Sequence, residues 1–130
     1  MVGYIAILVA AVASMVIGYI WYGPLFGKKW MGLMGMKSMA PKGNMAMSYV
    51  ISYIGAVIMA YVLSVFIGYA GAATYTDGAM IGFWAWLGFV ATTQLGKRLW
   101  EGKPWELYIL DTVHYLVSFA AMGAILVMMA

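Results

Sequence analysis

Four apolar runs, residues 2–22, 46–69, 78–96 and 104–129, take up most of the chain and leave only short connections between them. At 1.5 Å per residue, about 20 residues cross a hydrocarbon core of about 30 Å. A backbone in lipid must satisfy its own polar groups, so such runs have to be helices. Composition agrees: 66% of residues are hydrophobic and 8% are charged, with mean hydropathy +0.94. A soluble domain is roughly a quarter charged, so this chain has too little polar surface to cover a water-soluble globule. The expected fold is all-α, an integral membrane four-helix up-down bundle in one domain over residues 1–130. The lipid bilayer is its first partner.

The positive charges set the expected orientation. Lys28, Lys29, Lys37 and Lys42 lie in the first connection, and Lys97, Arg98 and Lys103 lie in the third. The second connection carries only Asp77, and neither terminus carries Lys or Arg. Basic residues in short loops stay on the cytoplasmic side. Both basic loops are therefore expected to be cytoplasmic and both termini to be on the outer side of a multi-pass protein of the cell inner (cytoplasmic) membrane. Ala11-Val12-Ala13 before Ser14 resembles a signal cleavage site, but no basic residue precedes the apolar run. A retained first helix is expected.

Local signals refine the ends. Pro24 should end or kink the first helix, and a short interfacial helix is expected over residues 28–36, before a turn at residues 41–44. Thr76 or Asp77 suits the cap of the third helix, and Pro104 suits the first turn of the fourth. Trp21, Tyr22, Trp30, Trp100 and Trp105 fall near span ends, where aromatic rings anchor helices at the interface.

Small residues recur every fourth position in two helices: Ala6, Ala10, Ser14 and Gly18 in the first, and Ser52, Ala56, Ala60, Ser64 and Gly68 in the second. Such stripes let helix backbones approach closely in lipid. The second helix is therefore expected to be central, with Gly78, Gly82 and Gly88 thinning the third. Two stripes exceed what one four-helix bundle needs, so a homo-oligomer or packing against other membrane subunits is expected.

Asp111 and His114 are the acid and the histidine that fall well inside an apolar run. Three residues apart on a helix, they share a face that Tyr115, Ser118 and Met122 extend. Ionisable groups in a span are expensive and mark ion or proton pathways. A hairpin of the third and fourth helices centred near Trp100 and Glu101 sets Asp111 level with residues 90–92 and His114 level with Gly88. The pair supports two readings. One is a relay from Asp111 to His114, Tyr115 and Ser118. The other is interhelical glue, with Asp111 bonded to Thr92 or Gln94, or paired with Arg98, and Thr93 alongside.

Other chemistries find less support. Asp-x-x-His places two metal-ligand types on one face, but the spans supply too few carboxylates, and no metal site or cofactor is expected. Six of the 13 methionines, at positions 31, 34, 36, 39, 45 and 47, surround the first loop. Thioethers bind soft metals, yet methionine is also an ordinary apolar filler. The chain has no Cys, so thiol chemistry is excluded. Nucleophile–base–orienter sets, phosphate loops and basic-aromatic nucleic-acid surfaces are missing. An enzyme is not the expected reading, and no nucleic acid partner is expected.

Gly18-x-x-Trp21-Tyr22-Gly23-Pro24-Leu25-Phe26-Gly27-Lys28-x-Trp30-Met31 resembles the first-loop signature of a family of small prokaryotic membrane proteins, domain of unknown function seventeen sixty-one. Residues 88–93, Glu101-Gly102-Lys103-Pro104 and His114-Tyr115-Leu116-Val117-Ser118 resemble its later segments. The resemblance implies a four-helix membrane protein of prokaryotic origin and supplies no activity. The chain departs from the family pattern at Asp111, where an uncharged residue such as Asn is common.

Three functions fit these observations. The leading expectation is a structural or accessory helical module that oligomerises or packs in a larger membrane complex. The alternative is a small oligomeric transporter or proton-coupled channel using Asp111 and His114. The third is a membrane-embedded metal or redox protein.

Overall fold

The computed structural model describes residues 3–35 and 44–130. Among these residues every regular element is helical: α1 (Tyr4–Ile20), α2 (Gly27–Met34), α3 (Met45–Ala70), α4 (Tyr75–Trp86), α5 (Gly96–Leu99) and α6 (Trp105–Met128). Three helices are long and apolar enough to cross a membrane: Tyr4–Leu25, Met45–Ala70 and Trp105–Met128. The rest of the first loop, with Met36, Lys37, Met39, Pro41, Lys42 and Gly43, lies outside the described residues, as does the end of the interfacial helix expected there.

Two helices run on through π turns, Trp21–Leu25 after α1 and Leu87–Ala91 after α4. Pro24 sits inside the first. Having no N–H, it cannot serve the ordinary ladder, and the wider turn instead lets Phe26 N–H donate to the Trp21 carbonyl at 2.8 Å. The kink expected at Pro24 is thus a π turn. A Cβ at Gly27 would collide with the Tyr22 carbonyl, so glycine lets α2 fold back beneath that turn. The second π turn leads through a short 3₁₀ segment, Thr93–Leu95, into α5.

The cap of α4 differs from the expectation. Thr74, rather than Thr76 or Asp77, is the N-cap, and Asp77 completes a capping box from the third helical position. Asp77 accepts from the Ala73 and Thr74 backbone N–H groups. With the Thr74 side chain, these donors hold its carboxyl below the ordinary value of 3.8.

The central helix is α6, not α3 as its small-residue stripe suggests. It buries Leu107, Leu110, Asp111, Thr112, His114, Ser118, Met122, Gly123 and Leu126, whereas α3 buries Ala56, Ala60, Leu63 and Ile67. The physical reason is the pairing of α4 with α6. A Cβ at Gly78 would overlap the Gly123 carbonyl, one at Gly82 that of Phe119, and one at Gly123 that of Gly78. Glycine four apart on α4 therefore brings two backbones into contact, the closest packing available in lipid. On α3, Ser52 and Gly68 are exposed and Ser64 is half-buried. Gly88 is also exposed and has no neighbour near its Cα hydrogens.

On its other side α6 packs antiparallel to α1, and α3 packs antiparallel to α1 in turn, with the Tyr53 hydroxyl donating to the Leu8 carbonyl at 3.3 Å. Ala6, Ile7, Ala10, Ala60, Leu63, Ile67, Ala85, Met122 and Leu126 make one core where α1, α3, α4 and α6 meet.

Candidate functional site

The polar stripe of α6 lies toward α1, not toward the third helix. Helical periodicity explains the difference. Thr112, Phe119 and Gly123 meet α4, so Asp111, His114 and Ser118, roughly 100–160° around the axis from Thr112, turn toward α1. The hydroxyls expected to serve Asp111 are used elsewhere. Thr92 donates to the Gly88 carbonyl at 2.7 Å and Thr93 to the Phe89 carbonyl at 2.6 Å. Both carbonyls lie in the π turn, where the ordinary ladder is interrupted. Gln94 is half-buried in the 3₁₀ segment, and Arg98 stacks over the Trp105 ring, 5.7 Å from its centroid.

Asp111 takes its partners from two other places. The Tyr22 hydroxyl donates to Oδ1 at 2.6 Å, and Lys97 Nζ contacts Oδ2 at 2.6 Å. The carboxylate side chain is 5% exposed and the lysine 29%, so the ion pair runs from the bundle interior toward its basic end. Two buried charges tolerate such a place only when paired and hydrogen-bonded. Here both carboxylate oxygens are occupied.

Trp21 and Tyr22 were expected as interface anchors, and the π turn gives them a different use. Trp21 Nε1–H donates to the Leu110 carbonyl at 3.2 Å, while Tyr22 reaches Asp111. From the opposite side, Trp86 Nε1–H donates to the Thr112 carbonyl at 2.7 Å, and the Tyr108 hydroxyl donates to the Ala91 carbonyl at 2.6 Å. The turn of α6 that carries Asp111 is thus held between α1 and α4. Trp30 packs edge-on against Tyr22 with ring centroids 5.5 Å apart, whereas Trp100 and Trp105 are exposed.

His114 is different. It is 8% exposed, and among the described residues neither ring nitrogen has a hydrogen-bond partner. Tyr22 and Tyr115 lie on either side of it, each with ring centroids 4.9 Å away and edge-on. Gly18 faces the imidazole, where a Cβ would sit at ordinary contact distance, 3.5 Å, from Nε2. Gly88, expected at the same level as His114, has no neighbour there. Ser118, one turn further on, is also without a partner among the described residues, and the antiparallel register sets it level with Ser14 on α1.

The imidazole borders a cavity of about 480 Å³ between α1, α3 and α6. Ser14, Gly18, Tyr22, Ser52, Tyr115 and His114 contribute to its wall. Buried polar atoms are normally hydrogen-bonded, and an orphan group asks for an explanation. A cavity of this size falls within the range of small-molecule sites. Among the described residues no group of three or more His, Cys, Asp or Glu side chains is placed to hold a metal ion.

Helices of this length and hydropathy define a helical membrane protein. The sequence matches the family described as Protein of unknown function (DUF1761) over residues 5–127, and the chain belongs to that family. No curated protein and no solved structure matches the chain.

Proposed function

We propose that the protein is a small proton-coupled transporter of the cell inner membrane, with four spans, basic ends cytoplasmic and both termini outside. One observation carries this reading: a buried imidazole with both nitrogens free borders a cavity, while the acid one turn away is fully bonded. Asp111 is then a positioning residue. It fixes Tyr22 and reaches the basic end through Lys97, and His114 is the group left free to exchange a proton or bind a substrate. His114 makes no hydrogen bond to the neighbouring Tyr22 hydroxyl, and a bound molecule would supply one.

The test uses purified protein in liposomes under an imposed potential, with internal pH followed by a trapped dye. Proton flux is expected from the wild type, and His114→Gln should lower it to the level of protein-free liposomes. Flux that is absent in the wild type, or unchanged in His114→Gln, would reject transport.

A second reading, a structural module that oligomerises or packs in a larger complex, is favoured by α3. Gly55 and Gly68 on that helix have open space beside them, which a neighbouring helix could enter. Particle mass in native nanodiscs separates a monomer from a homo-oligomer or a complex with other subunits.

A further inference from the structure

The ligand class can be read from the cavity and from the groove beside it. On the outer face of α1 and α3 runs an apolar groove of about 600 Å³. Met15, Tyr19 and Tyr49 border both spaces, so the two adjoin across these side chains. Val12, Val16, Val50 and Ile54 line the groove and are about half exposed. In a bilayer that face meets lipid tails.

The inner end has a different chemistry. Among the described residues lining the cavity none is Lys, Arg, Asp or Glu, and the nearby Lys97 and Asp111 neutralise one another. A charged ligand would be buried without a counter-charge, which is strongly unfavourable. A neutral imidazole offers one donor and one acceptor, and both nitrogens of His114 are unused among the described residues. Tyrosine rings and the thioethers of Met15 and Met59 form much of the wall. Such groups pack well against an aromatic ring, and Gly18 and Ala56 leave flat surface between them.

We infer that the site binds a neutral amphiphile drawn from the bilayer: an aromatic head bearing a hydroxyl or carbonyl, at His114, with a hydrocarbon tail in the α1–α3 groove. This rests on the reading of the cavity as a ligand site and adds the ligand's chemistry. The head supplies the partner that the imidazole lacks, and its hydroxyl would bridge His114 to the Tyr22 hydroxyl. The tail makes the approach lateral, from the membrane.

The test is saturable binding of 4-nonylphenol to the full chain in nanodiscs, expressed as mole fraction in the lipid and corrected with empty nanodiscs. Nonylbenzene, which lacks the hydroxyl, and 4-nonylbenzoate, which adds a charge, should each bind about tenfold more weakly, the size of effect that one buried hydrogen bond commands. His114→Phe should remove the preference for the phenol. Val16→Trp, a change on the lipid-facing wall that leaves the interior alone, should reduce 4-nonylphenol to the affinity of 4-ethylphenol. Equal binding of nonylphenol and nonylbenzene, tighter binding of the benzoate, or no saturable binding would each overturn the inference. Binding without His114-dependent proton flux would keep this ligand class and reject transport. Flux without nonylphenol binding would do the reverse.

Discussion

At the scale of single residues, His114 and Asp111 show opposite solutions to the same problem. Asp111 is buried with every oxygen partnered, and His114 is buried with neither nitrogen partnered among the described residues. An unsatisfied buried polar group lowers stability by roughly 1–3 kcal/mol. His114→Leu, close in size and apolar, is therefore expected to raise thermal stability in detergent by about 1 kcal/mol while abolishing ligand binding. A substantial loss of stability would mean that the imidazole is structural. The ion pair behaves differently. Lys97→Met leaves the Asp111 carboxylate buried without its cation and should destabilise by about 3–5 kcal/mol. Adding Asp111→Asn to that variant should recover most of the loss, because Tyr22 can still donate to the amide oxygen. Unfolding of the two single variants and the double variant measures the coupling.

Among the elements, α4 and α6 form the least yielding part. Gly82 lies against the Phe119 carbonyl, and neither partner is a flexible side-chain tip that could move aside. Gly82→Ala should force the helices apart and destabilise by about 1–3 kcal/mol, whereas Gly88→Ala, with open space around it, should be neutral or slightly stabilising through helix propensity. Comparing the two by chemical or thermal unfolding checks the assignment. The contrast also shows what the sequence made legible. Apolar length marked the long helices, and the four-residue spacing of Gly78 and Gly82 was visible in the sequence. Small residues on α3 resembled a packing stripe equally well, because spacing alone does not say which face meets a neighbour. The partners of Asp111 were hidden for a related reason. Lys97 is brought in by a π turn and a 3₁₀ segment, and Tyr22 by another π turn. Neither widened turn can be read from hydrophobic periodicity, although Pro24 marked where one ladder had to fail. Hairpin counting about Trp100 and Glu101 gave the register, since the same count sets Gly82 against Phe119 and Gly78 against Gly123, but depth carries no information about direction around the axis.

For the molecule as a whole, the basic side chains among the described residues gather at one end. Lys29 contacts Glu106 at 3.6 Å, and Lys97 pairs with Asp111, so residues from both basic connections meet at the start of α6. The proposed orientation can be measured directly, since the chain contains no Cys. Ala73→Cys, in the connection between α3 and α4, should react with a membrane-impermeant maleimide in intact cells. Glu101→Cys, between α5 and α6, should react only after permeabilisation. The reverse pattern would invert the topology, and equal labelling of both would remove the four-span arrangement.

The two π turns have a consequence for length. Each is a helical segment carrying one residue more than a regular ladder would use. Deleting a single residue within 21–25 would restore ordinary winding, with the helix on either side still in phase, and would take one side chain out of the turn that faces α6. Either Trp21 or Tyr22 would then lose its bond to α6, and Gly27 would no longer sit beneath the Tyr22 carbonyl. The same deletion within 87–91 would remove the wide turn that leads through Thr93–Leu95 to Lys97. The site thus depends on two surplus residues, one on each side of α6. A one-residue shortening at either place should disrupt the site more than most side-chain substitutions in its wall.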